Sequence, residues 1–185
     1  MATFLKQKGD YRKLIAYQKA ECIYDITYYF AHNYLGTGDR TMDQMIQAAR
    51  SGKQNIAEGS VAATTSTETE LKLYNVARAS LHELMIDFED YLRVRGLEQW
   101  QVNDPRLQQA RKVCREHSDT AYYNNSIPQR SHETIANIAI VLIHQTDLLL
   151  RRLFEKRKAD YIRQGGIKEE MFRARKEQRK KSEDS

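Results

Sequence analysis

The sequence predicts an all-α protein: an antiparallel up-down four-helix bundle, a short extra helix before the fourth long helix, and a basic helix at the C-terminus. Three observations point there. Apolar residues recur at spacings of three, four and seven along four long stretches, the period of a helix face. Both prolines and most of the eight glycines fall between those stretches. Apolar residues make up 41% and charged residues 30% of the chain, enough to fill one core and solvate its outside, and no strand hairpin or repeat competes with this pattern. The 185 residues fit one bundle over residues 1–164 and a basic helical extension over 165–185.

The first helix is expected from Asp10 to Leu35. Leu14, Tyr17, Tyr24, Tyr28, Ala31 and Leu35 form its seam, widened by Ile15, Cys22, Ile26, Tyr29 and Phe30. Gly36-Thr37-Gly38 ends it. The second helix opens at Asp39 and Thr41, with Thr41 and Gln44 in capping-box register. Met42, Met45, Ile46, Ala49, Ile56 and Ala63 line its seam. Gly52 and Gly59 are seven apart and share a face, and interior glycine costs about 1 kcal/mol against alanine, so a neighbouring helix or subunit should come close there.

Thr67 and Glu70 are expected to cap the third helix. Leu71, Tyr74, Ala77, Leu81, Leu84, Phe88, Tyr91 and Leu92 form its seam, and Gly96 closes it. A weaker helix lies within 98–117, with Asp104 as cap and Pro105 in its first turn. Residues 118–130 read as a loop. Ser131 starts the most apolar helix, which runs to Arg163. Ile135, Ile138, Leu142, Leu149 and Leu153 form one seam, while Ile140, Val141, Ile143, Leu148 and Leu150 lie partly off it, so two sides should be buried. Gly165-Gly166 is a hinge. The last helix, Ile167 to Lys181, carries Ile167, Met171 and Ala174 on one face.

Composition excludes several classes. The longest apolar window, Ile135 to Leu150, is broken by Asn137, His144, Gln145 and Asp147, short of the ~18–20 apolar residues of a membrane span. Met1 to Asp10 has no apolar core of a secretory signal, so a cytoplasmic location is expected. Cys22 and Cys114 are far apart and read as buried free thiols. The five histidines show neither Glu-x-x-His nor HExxH spacing, and no metal or cofactor is expected. His144 reads as a core histidine hydrogen-bonded to a neighbour. GxSxG, P-loop and GxGxxG motifs are absent from the sequence, so no enzyme chemistry and no small-molecule substrate are expected.

The net charge of +5 is unevenly placed. Residues 1–150 hold 17 Lys/Arg against 18 Asp/Glu, while residues 151–181 hold 13 against 5. A basic segment of this kind neutralises phosphates, with Arg173, Arg175, Lys176, Arg179, Lys180 and Lys181 as the candidate contacts. The alternative is a solvated helix end. Lys6, Lys8, Arg12, Lys13 and Lys19 are candidates for a lesser basic patch. Eleven tyrosines are many for this length; Tyr122 and Tyr123, in the expected loop, are open as base-stacking residues.

The runs Arg50-Ser51-Gly52-Lys53-Gln54-Asn55-Ile56-Ala57-Glu58-Gly59 and Asn75 to Leu84 are crowded with small and polar residues. Arg50, Ser51, Gly52, Asn55, Glu58, Gly59, Arg78, Ser80 and Glu83 form a candidate polar cluster, with Arg78 placed to pair with Glu58. Its expected role is bundle register or a subunit interface, with direct ligand contact as the alternative.

Asp10-Tyr11-Arg12-Lys13-Leu14, Tyr17-Gln18-Lys19-Ala20, Arg40-Thr41-x-Asp43-Gln44-Met45, Ala48-Ala49-Arg50-Ser51, Asn55-Ile56-Ala57-Glu58-Gly59 and Ala79-Ser80-Leu81-x-Glu83-Leu84 resemble a bacterial family. These are the four-helix-bundle proteins first noticed as reading frames inside intervening sequences of 23S ribosomal RNA genes. The same superfamily includes the accessory variability determinant of diversity-generating retroelements. The longer "four helix bundle suffix" branch is the most similar. The resemblance covers about Asp10 to Arg95 by motif, and 131–155 in character only. It implies a barrel-like homopentamer without catalytic residues or cofactor. For the retroelement members it implies binding to nucleic acid and to a reverse transcriptase. The near-neutral balance over residues 1–150 departs from a strongly basic barrel.

Overall fold

A computed structural model describes residues 10–165 and 167–183, without the side chains at 164, 167, 168, 170, 178 and 180–183. Lys6, Lys8 and Gly166 lie outside the described residues, as do the side chains of Ile167, Lys180 and Lys181. The described chain is all-helical. A 3₁₀ turn, Tyr11–Lys13, precedes α1 (Ile15–Tyr34), α2 (Arg40–Ala62), α3 (Thr67–Val94), α4 (Pro105–Glu116) and α5 (Thr120–Ser126). A second 3₁₀ turn, Ile127–Gln129, leads to α6 (His132–Gln164) and α7 (Ile167–Glu183). Helix α1 packs on α2 and α6, α2 on α3, and α3 on α6; α4 lies against α6 and α5 against α1.

The helix ends show how local chemistry set the boundaries. Asp10 caps the 3₁₀ turn, accepting from the Arg12 N–H at 3.1 Å, so α1 starts at Ile15 rather than at Asp10. Helix α2 is capped by Asp39, which accepts from Thr41 N–H at 2.9 Å, in place of the expected Thr41/Gln44 box. A carboxylate there also meets the positive end of the helix dipole. Ser66, one residue before the expected Thr67, accepts from Thr69 N–H at 3.2 Å and caps α3. Asp104 with Pro105 opens α4 and Ser131 opens α6, as the sequence predicts.

Two expectations change. The buried stripe of α1 is Ala16, Ala20, Ile23, Thr27, Phe30 and Ala31, with Tyr28 49% and Ile15 53% exposed, so the seam is rotated away from the tyrosines. Small residues let α1 approach its neighbours closely, and tyrosine rings settle at the boundary where their hydroxyls reach water. Residues 118–130 are not a loop: Asp119 accepts from Tyr122 N–H at 2.8 Å, starting α5, and Tyr123 and Ile127 are buried in the core.

Residues 135–143 of α6 are buried on every side, because α1, α3 and α4 surround that turn of helix. By length and composition this helix is apolar enough to cross a membrane, contrary to the expectation from its polar interruptions. Of its apolar window, 61% is buried inside the protein. Phe30 stands edge-on to Phe88 and Tyr91, at 5.1 and 4.6 Å between centroids, joining α1 to α3.

The two interior glycines serve the α2–α3 contact within the chain. A Cβ on Gly52 would lie 2.7 Å from Leu81 Cδ2, and one on Gly59 2.7 Å from the Tyr74 ring. Neither helix can approach its neighbour this closely with a side chain in between. The pair Glu70–Arg157 then fixes α3 against α6, with Arg157 Nε donating to both carboxylate oxygens at 2.8 and 3.0 Å.

Candidate functional site

The predicted polar cluster separates into four parts. Ser51 and Ser80 hydroxyls meet at 2.9 Å across α2 and α3, and Asn55 Nδ2 donates to Ser51 O at 2.8 Å and to its hydroxyl at 3.2 Å. Gly52 and Gly59 form the close contact described above. Arg50, Glu58 and Glu83 are exposed. Arg78 does not pair with Glu58. Its Nε donates to Asp147 Oδ1 of α6 at 2.7 Å, and Arg151 Nε lies 3.3 Å from the other oxygen of that carboxylate.

The Arg78–Asp147 pair is about one-third exposed on both sides, so water screens it. Arg78→Ala is expected to lower stability by no more than about 1 kcal/mol, the usual range for a solvated ion pair. Urea unfolding measures this; a loss above about 2 kcal/mol would show a desolvated network instead.

The face around Ser51 and Ser80 is acidic, since Asp43, Glu83 and Asp87 line the groove beside the two serines. Partial burial, then the neighbouring Asp90 and Glu83, raises the Asp87 carboxyl above the usual range. This face therefore repels a phosphate backbone.

Cationic charge is presented elsewhere. Arg173, Arg175, Lys176 and Arg179 are all exposed on α7. Met171 and Phe172 are 40% and 68% exposed on the same helix. Among the residues expected to add basic charge nearer the N-terminus, Lys19 proves to be buried, at 3% exposure. Its ammonium donates to the Cys114 carbonyl and, at 3.4 Å, to that of His117. Those carbonyls belong to the last turn and C-cap of α4, which lack partners within the helix. Lys19 is thus a C-terminal cap supplied from α1, at the negative end of the α4 dipole. Burial lowers its pKa.

Tyr122 and Tyr123 do not form a base-stacking platform. Tyr123 is 1% exposed and its hydroxyl donates to His117 O at 3.3 Å, while Tyr122 stacks on the His117 ring at 3.7 Å. Both thiols are buried and free, and burial pushes Cys22 up to about 12. Among the described residues no group of three His, Cys, Asp or Glu side chains converges as a metal set.

A cavity of about 630 Å³ lies among α1, α4, α6 and the segment 99–102. Trp100, Leu107, Ile140 and Val141 supply buried apolar wall. Lys19, Arg111, Arg115 and Arg152 also line it, and among the described residues no carboxylate does. His144, expected in the core, is exposed at this cavity. Its wall is held by Asn137, which accepts from Trp100 N–H at 2.9 Å and donates to the carbonyls of Glu98 and Glu133, both at 2.9 Å. Two buried polar atoms of the lining, Trp100 Nε1 and Gln145 Oε1, have no hydrogen-bond partner among the described residues. Sequence reading missed this cavity because its walls come from four separated segments, none with a motif.

No protein-family model, curated protein or solved structure matches the chain.

Proposed function

We propose that this chain is a non-enzymatic, cytoplasmic helical scaffold that binds structured RNA, or an RNA–protein complex such as one holding a reverse transcriptase, through its basic C-terminal segment. In this reading α1, α2, α3 and α6 form an antiparallel up-down bundle, and copies of the bundle associate, as a homopentamer if the motif resemblance extends to assembly. The observation that carries the reading is the charge placement: 13 Lys/Arg against 5 Asp/Glu over residues 151–181, with Arg175 and Lys176 exposed along α7. Each neutralised phosphate releases counterions. Several copies of the helix on one assembly would add their weak contacts through multivalency.

The test is a titration of hairpin RNA against the full chain and a variant with Arg173, Arg175, Lys176 and Arg179 all changed to Gln. The reading expects the variant to bind at least about tenfold more weakly, with a shallower dependence of affinity on salt. Equal affinity and equal salt slope would remove α7 from the RNA site. A second reading, a protein-interaction module, draws support from Phe172 and Met171, exposed apolar side chains amid the α7 charges. It predicts no RNA binding by either form.

A further inference from the structure

We propose that the cavity among α1, α4 and α6 binds a small amphipathic organic anion, a carboxylate on an apolar body. The volume of about 630 Å³ falls in the range of ligand sites, typically ~300–1,000 Å³. The buried Ile140 and Val141 and the Trp100 ring offer the apolar part of such a molecule a dry surface. The cations set its charge. Arg111 and Arg115 are four apart on α4, and His144, Leu148 and Arg152 follow at the same spacing on α6. Residues four apart share a helix face, so two helices direct positive charge to one opening. Arg115, His144 and Arg152 are exposed, which places them at the mouth.

Arg78, Arg106 and Arg157 are each paired with a carboxylate. Among the described residues, the guanidinium groups of Arg111, Arg115 and Arg152 make no such pair, and no Asp or Glu lines the cavity to neutralise them. Lys19 adds a buried ammonium, whose three N–H donors exceed its two carbonyl acceptors. A guanidinium fork suits a carboxylate bidentately. Trp100 Nε1, buried without a partner among the described residues, is a donor from which a carboxylate oxygen would accept. A neutral apolar ligand would leave the cations unanswered, and a bare inorganic anion would leave the apolar wall uncovered.

Calorimetric titration of the full chain with decanoate, decanol and inorganic phosphate tests this directly. Decanoate should bind, and decanol should bind at least about tenfold more weakly, the worth of one charge-assisted contact. Phosphate alone should not compete. Arg111→Gln and Arg152→Gln should each weaken decanoate about tenfold while melting like the wild type without ligand, because neither side chain makes an ion pair among the described residues. Leu148→Trp, which narrows the mouth, should weaken decanoate and decanol together. Equal binding of decanol and decanoate, or unchanged affinity in both arginine variants, would overturn the proposal. So would absence of binding by folded protein. So would a concentration-dependent dimer, dispersed by Leu148→Glu, that binds no decanoate, since the cavity would then be covered by a second copy.

Discussion

Glu70→Ala is expected to lose about 3 kcal/mol of stability, which for a chain of this size lowers the melting temperature by roughly 6–12 °C. Glu70 is 2% exposed, and Arg157 reaches it from the far half of α6 with two hydrogen bonds of 2.8 and 3.0 Å. Removing the carboxylate leaves a half-buried guanidinium without its counter-charge. Such breaks cost about 3–5 kcal/mol, and the lower end applies because Arg157 retains 21% exposure to water. The loss should be specific. Arg163→Ala, which breaks the exposed Arg163–Asp160 pair on the same helix, should change stability by less than about 0.5 kcal/mol. The double variant Glu70→Leu/Arg157→Met should recover most of the loss, because an ion pair replaced by packed apolar groups is often neutral. Chemical denaturation of the three variants beside the wild type forms the comparison. A Glu70→Ala loss within about 1 kcal/mol of zero would mean that the pair is solvated and does not fix α3 against α6.

This pair also marks where the sequence stopped being readable. Glu70 and Arg157 are 87 residues apart, and Glu70 looked like half of a capping box. The four long helices were legible because Leu, Ile, Phe and Tyr recur at helical spacing in α3 and α6. The stripe of α1 was misread because alanine carries little weight in an apolar count, yet Ala16 and Ala20 are buried in the core. Helix α5 was missed for a related reason. Tyr-Tyr-Asn-Asn-Ser has weak helix propensity, and burial of Tyr123 and Ile127 overrides it.

Candidate sites were legible only as composition. The basic segment was plain, while the role of each charge depended on geometry. His144 sits in an apolar run, but counting by four through Leu148 to Arg152 traces a face that ends in charge, a signal present in the sequence and outweighed by its neighbours. The small-residue runs in α2 and α3 signalled close approach correctly, and could not say whether the neighbour was another chain. Gly52 against Leu81 and Gly59 against Tyr74 place that approach inside one chain. An oligomer would therefore need surface beyond these two glycines. The exposed Arg50, Glu58 and Glu83 remain on the α2 and α3 exterior for that purpose.

Lys19→Met is the second large effect, and its signature is a pH dependence. At neutral pH the variant should lose about 1–3 kcal/mol, because methionine fills the stem's space but leaves the Cys114 carbonyl without its donor. The His117 carbonyl keeps a donor in Tyr123. Burial holds the Lys19 pKa below its ordinary 10.5. Below the folded-state value both folded and unfolded chains carry the proton, and wild type bears the full cost of burying it. Between that value and about 10.5 the unfolded chain binds more protons than the folded one, so this residue's contribution to stability rises with pH. Above 10.5 both forms are neutral and the gain is complete. Tyrosines with raised pKa values titrate in both proteins and cancel in the difference. The gap between wild type and Lys19→Met should therefore widen as pH climbs towards 10.5 and then level off, since a neutral amine still donates to the carbonyl. Urea unfolding at intervals from pH 7 upward measures it. A gap that narrows over that range would mean that the ammonium is stabilised where it sits, by the α4 dipole and its two carbonyls, more than burial opposes it.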